Sequence, residues 1–220
     1  METTPETSRK NEIMTDQTPS QSSNIFVCPT QAGDLSRCEI FINVSNRFLG
    51  LLAGEAGSNT RNDTTREYPF VAMDSRQVFR QLTLVYQHLK VGINPGEAAP
   101  AFLDVGCGIG NVMLLAEQMG FAPYGLEKDQ HPLEMARKLF DEQRVSAADI
   151  WDYQDYSRFK VIYYFRPFAD RELQLRFEQM IEERLQPGGL LIANHKNSER
   201  INDDPRFLRL DPELPVWQKS

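Results

Sequence analysis

Three glycines at alternate positions, Gly106, Gly108 and Gly110, follow an acid, Asp104, in the run Phe102-Leu103-Asp104-Val105-Gly106-Cys107-Gly108-Ile109-Gly110-Asn111-Val112. Glycine lets a backbone take positive φ and bring its N–H groups against a ligand with no Cβ in the way. An apolar run of strand character enters the turn and an apolar, helix-forming segment leaves it, so the run reads as a nucleotide-type site. The spacing departs from the dinucleotide pattern G-x-G-x-x-G/A: Asn111 holds the third small position, and the last glycine comes one residue early. Charge points the same way. A carboxylate beside the turn repels a pyrophosphate and suits a ligand with a cationic end, since opposite charges ~4 Å apart gain about 4 kcal/mol at an effective dielectric of about 20. The ammonium and sulfonium of S-adenosylmethionine have that character.

Other residues at strand ends carry chemistry too. Glu127 lies about twenty residues past Gly106, where a carboxylate accepts from both hydroxyls of a ribose. A surface acid beside Lys128 and Asp129 is the plain alternative. Arg166 either grips an anionic substrate by a bidentate contact, with Tyr163 or Tyr164 as a donor, or pairs with Asp170 or Glu172. His88, His131 and His195 are the only histidines, and His195 alone follows a strand near the substrate side. Cys107 has no accompanying Cys/His/Asp set and reads as a small packing residue. No spacing suggests a metal site.

Taken together, these segments resemble the class I S-adenosylmethionine-dependent methyltransferases over roughly residues 70 to 220. The glycine run resembles their first motif, and Tyr124-Gly125-Leu126-Glu127 their second strand. Ala147-Ala148-Asp149-Ile150 resembles their third motif, Lys160 to Phe165 their fourth strand, and Leu185 to Ile192 the turn into the fifth. The resemblance implies an α/β, Rossmann-like methyltransferase fold: a mostly parallel seven-stranded sheet, a C-terminal antiparallel pair, and helices on both faces. It implies S-adenosyl-L-methionine as cofactor. Asp104 then helps hold its ammonium, and Gly106, Gly108 and Gly110 pass along its methionyl part. Glu127 holds the ribose, Asp149 meets the adenine amino group, and Ile150 supplies an amide and an apolar contact. Asp152 and Asp155 follow closely enough to leave the register of Asp149 open.

The end of the fourth strand departs from the family pattern. Tyr163-Tyr164-Phe165-Arg166-Pro167-Phe168 stands where nitrogen-directed members carry Asn/Asp-Pro-Pro-Tyr/Phe. This weighs against adenine or glutamine as acceptor and leaves Arg166 and Tyr164 as the substrate-handling residues. The implied partner is a small-molecule or protein methyl acceptor. Competing readings are an aminopropyl-transfer or nicotinamide relative, and a non-catalytic S-adenosylmethionine-binding scaffold of the same fold.

Helices and strands in alternation must position these groups. Asp74-Ser75-Arg76-Gln77 resembles a capping box before Val78, Leu82, Val85 and Leu89 at helical spacing. Helices are expected at Asn111–Met119, from Pro132 to Phe140, and after a cap at Asp170 with Leu173, Phe177, Met180 and Ile181 inward. Strands alternating with helices imply right-handed βαβ units. Arg206–Leu210 and Val216–Lys219 read as a strand pair around the turn Asp211–Pro215. Upstream, residues 34–53 suit a helix capped by Asp34, with a strand at Glu39–Val44 as the competitor, and Gly54–Glu67 reads as a loop.

The organisation expected is a polar, disordered tail over 1–23, an N-terminal extension and possible substrate cover over 24–67, and the methyltransferase domain over 68–220. Among 220 residues, 31 acids against 24 bases give a net charge of −7, which offers no electrostatic footprint for nucleic acid. The most apolar stretch, Ile40 to Ala53, is broken by Asn43, Ser45, Asn46, Arg47 and Gly50, so no membrane span is expected. Three cysteines, an odd number without metal spacing, suit a cytoplasmic setting.

Overall fold

The computed structural model of the chain describes residues 32–90 and 98–220. The expected tail and the first residues of the extension lie outside the described residues.

The glycine turn follows β1 (Ala101–Val105) and opens α3 (Asn111–Gln118). Next come β2 (Ala122–Leu126), α4 (Gln130–Leu139), the short β3 (Val145–Ser146), β4 (Val161–Phe165), α5 (Arg171–Arg184) and β5 (Leu190–Asn194). The chain ends in β6 (Phe207–Arg209) and β7 (Val216–Lys219), preceded at its other end by α1 (Ala32–Ser58) and α2 (Ser75–Lys90). The sheet has seven strands in the order β3-β2-β1-β4-β5-β7-β6, parallel from β3 to β5, with β7 antiparallel to both β5 and β6. This is the mostly parallel sheet with a C-terminal antiparallel pair that the resemblance implies.

Period-two alternation sorts the buried strand residues onto two faces. Leu103, Val105, Ile162, Tyr164, Leu191 and Ala193 form one core with Phe177 and Ile181 of α5. Phe102, Val161, Tyr163, Leu190 and Ile192 form the other with Val78, Leu82 and Val85 of α2 and with Val112 and Ala116 of α3. Each fully buried aliphatic or aromatic side chain contributes about 1.5–3 kcal/mol, so the two layers hold the strand ends rigidly. Cys107 packs with Met113, Leu133, Ala136 and Phe140 in a third, smaller cluster.

Local signals set the helix starts. Asp170 caps α5, its Oδ1 accepting from the amides of Glu172 and Leu173 at 2.8 and 3.0 Å. Asp74 likewise accepts from Arg76 N–H at 2.7 Å, but the capping box is incomplete. The Gln77 amide goes instead to Asn194 Oδ1, 3.3 Å away. The α5 C-terminus is closed by Lys219 of β7, whose Nζ donates to the carbonyls of Glu182, Glu183 and Leu185 at 2.7–2.9 Å.

Two upstream expectations need correction. α1 runs through Gly54 to Ser58, and the alternative strand at Glu39–Val44 does not form. Buried Ala56 anchors this last turn, and a Cβ at Gly50, Gly54 or Gly57 would meet nothing within 4 Å, so the glycines relieve no crowding. The helix carries apolar residues on two sides: Ile42, Leu49 and Leu52 are half-buried, while Ile40, Val44, Phe48 and Leu51 stay exposed. Among the described residues no helix is long and apolar enough to cross a membrane.

Candidate functional site

A cavity of about 260 Å³ opens at the C-terminal edge of the sheet, lined by Gly106, Leu126, Glu127, Asp149, Ile150, Phe165, Arg166 and His195, among others. β1 stands between β2 and β4, so the chain's strand order reverses here, the usual crevice for a ligand in an open α/β sheet. Gly106, Gly108 and Gly110 have φ of 77, 54 and 84°, a conformation that costs other residues strain. Gly106 and Cys107 both donate N–H to Leu126 O at 2.9 Å, tying the turn to β2.

Glu127 projects from the end of β2 into the cavity. Oε2 accepts from Gly108 N–H at 2.9 Å and Oε1 from Asp129 N–H at 2.8 Å. Each oxygen keeps a lone pair for a ligand hydroxyl. Enclosure by protein raises its pKa to about 7, against the lowering effect of those two amides. Asp149 lies in the turn after β3, its Oδ1 accepting from Trp151 N–H at 3.0 Å and its Oδ2 from Lys128 Nζ at 3.1 Å. Lys128 also reaches Glu67 Oε1 at 2.6 Å.

Asp104, Gly108 and Gly110 do not line the cavity. Asp104 points to the α2 face, almost fully buried, and its Oδ2 has no hydrogen-bond partner. Burial, and secondarily the nearby Glu127 carboxylate, hold its pKa well above the usual carboxylate range. A buried polar atom left unsatisfied costs about 1–3 kcal/mol. The cavity's lining residues fit the nucleoside end of S-adenosylmethionine: Glu127, a cavity-facing carboxylate, suits vicinal hydroxyls.

Tyr164 is a correction. Its place in the alternation of β4 turns it away from the cavity into the α5 core, where its ring meets Phe177 edge-on at 5.0 Å. It is fully buried and its hydroxyl is unpartnered, so it cannot reach a substrate in the cavity. Arg166 does line the cavity. It makes no ion pair with Asp170 or Glu172; its guanidinium lies over the Tyr68 ring, 5.3 Å from the centroid. Arg166 and His195, with φ of 30 and 54°, are the two non-glycine residues at positive φ among those described.

The roof was not foreseen in detail. Residues 59–73 form a strap across the cavity, contributing Asn62, Glu67, Tyr68, Pro69, Phe70 and Val71 to its lining. Asp129 leaves the start of α4 uncapped by its side chain and binds the strap instead, accepting from Thr60 Oγ1 at 2.6 Å and Arg61 N–H at 3.2 Å. Tyr68 N–H donates to Pro167 O, and Ala169 and Asp170 N–H to Arg66 O, at 2.9–3.1 Å. The Phe70 ring rests on Gly108 so closely that a Cβ there would come within 2.0 Å of it. The cavity lies just below the about 300–1,000 Å³ typical of small-molecule sites.

No family model matches the chain, and no curated protein matches it. Among solved structures, DesVI of Streptomyces venezuelae is similar at 21% identity and a TM-score of 0.40, over 53% of this chain and 50% of that one. The sugar N-methyltransferase KedS8 of Streptoalloteichus sp ATCC 53650 is similar at 17% identity and a TM-score of 0.41, over 57% and 55%. CalS10, an amino pentose methyltransferase from Micromonospora echinaspora, is similar at 21% identity and a TM-score of 0.42, over 57% and 58%. The chain spans about half the length of each of these three structures. Likenesses this partial carry no argument about substrate or chemistry, which is read from the site itself.

Proposed function

We propose that the protein transfers a methyl group from S-adenosyl-L-methionine to an acceptor bound in the same cavity. The observation that carries this reading is Glu127, its two oxygens held by the amides of Gly108 and Asp129 with lone pairs left toward the cavity. Glu127 would hold the ribose hydroxyls, and Asp149 and Ile150 the adenine edge; Gly106 lines the same cavity, whereas the buried Asp104 does not reach it. Bound there, S-adenosylmethionine supplies a methyl already activated on a sulfonium. The chain's own work is then to orient the acceptor and exclude water, which the strap and the aromatic rims of β4 and β5 are placed to do. Cys107 is buried and is not among the residues lining the cavity.

Titration calorimetry with S-adenosylmethionine and S-adenosylhomocysteine tests the reading. Both are expected to bind the folded protein at a single site, and Glu127→Ala to weaken both. Failure of either ligand to bind would sink it.

A further inference from the structure

Arg166 and His195 end the adjacent parallel strands β4 and β5, where Phe165 pairs in register with Asn194. Both hold positive φ, and both line the cavity. Such strain persists only where the surroundings over-determine it. Here one buried network on α5 does so. Gln174 Oε1 accepts from Phe168 N–H at 3.2 Å and its Nε2 donates to Glu178 Oε1 at 2.9 Å. Glu178 also accepts from the amides of Asn197 and Ser198 at 2.7 and 2.9 Å, and from Lys196 Nζ at 3.2 Å. The loops carrying Arg166 and His195 are therefore fixed by the same two side chains.

What is fixed is a cation that makes no ion pair among the described residues. Arg166 Nε is buried and has no hydrogen-bond partner. The carboxylate nearest in sequence, Asp170, is committed to capping α5. The acids of the cavity, Glu67, Glu127 and Asp149, belong to its cofactor end, where Lys128 ties two of them together. The guanidinium lies over the flat Tyr68 ring, and the same cavity is lined by the Phe165 and His195 rings, their centroids 5.3 Å apart.

We propose that this end of the cavity binds an acceptor carrying a carboxylate on a planar apolar body, with Arg166 as the residue that selects the charge. The proposal rests on the methyltransferase reading above. A single guanidinium with a planar fork matches a carboxylate. A phosphate dianion would bring a second charge into a cavity whose other lining cation, Lys128, is already paired with Glu67 and Asp149. The other source of a carboxylate is the methionyl group of the cofactor itself, and the test separates the two.

Ligand-observed NMR on protein saturated with S-adenosylhomocysteine would use benzoate and its neutral counterpart benzamide as probes. Benzoate is expected to bind at least about tenfold more tightly than benzamide, and Arg166→Gln to abolish that preference while S-adenosylhomocysteine binds as before. Arg166→Lys, which keeps charge but not the fork, should retain part of the preference. Equal binding of the two probes to the wild type overturns the proposal. So does an Arg166→Gln protein that weakens S-adenosylhomocysteine instead, since the guanidinium then serves the cofactor's carboxylate. If S-adenosylhomocysteine does not bind the wild type, the methyltransferase reading fails by itself, and the same probe pair on the unloaded protein still decides the anion subsite.

Discussion

Glu127 shows how one carboxylate links binding to pH. Its pKa of about 7, raised from 4.5 chiefly by burial, means that the folded protein keeps a proton the unfolded chain has already released between those values. Stability from this group is therefore greatest at acid pH and falls as pH rises from about 4.5 to about 7, by up to about 3 kcal/mol. That is opposite in sign to an ion-paired acid. Urea midpoints of wild type and Glu127→Gln, measured at pH 5 and pH 8 without ligand, should show the wild type losing more across the interval. Ligand binding runs the other way, because hydroxyl donors favour the ionised form. S-adenosylhomocysteine affinity is expected to rise through pH 7 and level off above it, with a proton released on binding. Glu127→Ala should weaken binding by about 1.5–3 kcal/mol, roughly ten- to a hundredfold, and remove this pH dependence. Calorimetry in buffers of different ionisation enthalpy reads both the affinity and the proton.

At the scale of elements, α5 is both a wall of the core and the clamp on two loops. Glu178 is almost fully buried and serves Gln174, Lys196 and two backbone amides at once. Glu178→Ala strands a buried ammonium and two amides, and is expected to cost about 3–5 kcal/mol in chemical denaturation. Glu182, 2.5 Å from Lys196 Nζ, keeps a partner for that ammonium, which places the loss toward the lower end. This clamp was not legible in the sequence, because an acid on an amphipathic helix reads as a solvated face until the loop after β5 is folded onto it. The helices and strands themselves were legible: Val78, Leu82 and Val85 repeat at the helical period and are all buried. Glu127 is singled out by its distance past the glycine turn and Asp149 by its resemblance to the third motif, and both line the cavity. Tyr164 was misread because neighbouring Tyr163 and Tyr164 point to opposite faces, and nothing local says which end of that alternation meets the cavity. The strap escaped notice in detail because a loop has no period; its place is set by Asp129, Pro167 and Asp170, far away in the chain.

For the whole molecule, a ligand that bridges β1, β2, β4 and the strap must stabilise all of them together. S-adenosylhomocysteine at a hundred times its Kd contributes about 2.7 kcal/mol to folding. In a chain of this size the expected rise in Tm is about 5–10 °C, read by scanning calorimetry at several ligand concentrations. A Tm independent of ligand would contradict a site shared among those elements.

The strap also has a consequence for the order in which the molecule is made. Thr60 waits for Asp129, a separation of 69 residues, and Tyr68 and Glu67 wait for Pro167 and Phe168. A chain synthesised from its N-terminus therefore produces the roof of its cavity first and the strands that carry the floor much later. Loop closure over such separations carries an entropic cost that grows with loop length. Pulsed hydrogen exchange is expected to show the amides of Tyr68 and Ala169 protected no earlier than those of β1 and β2.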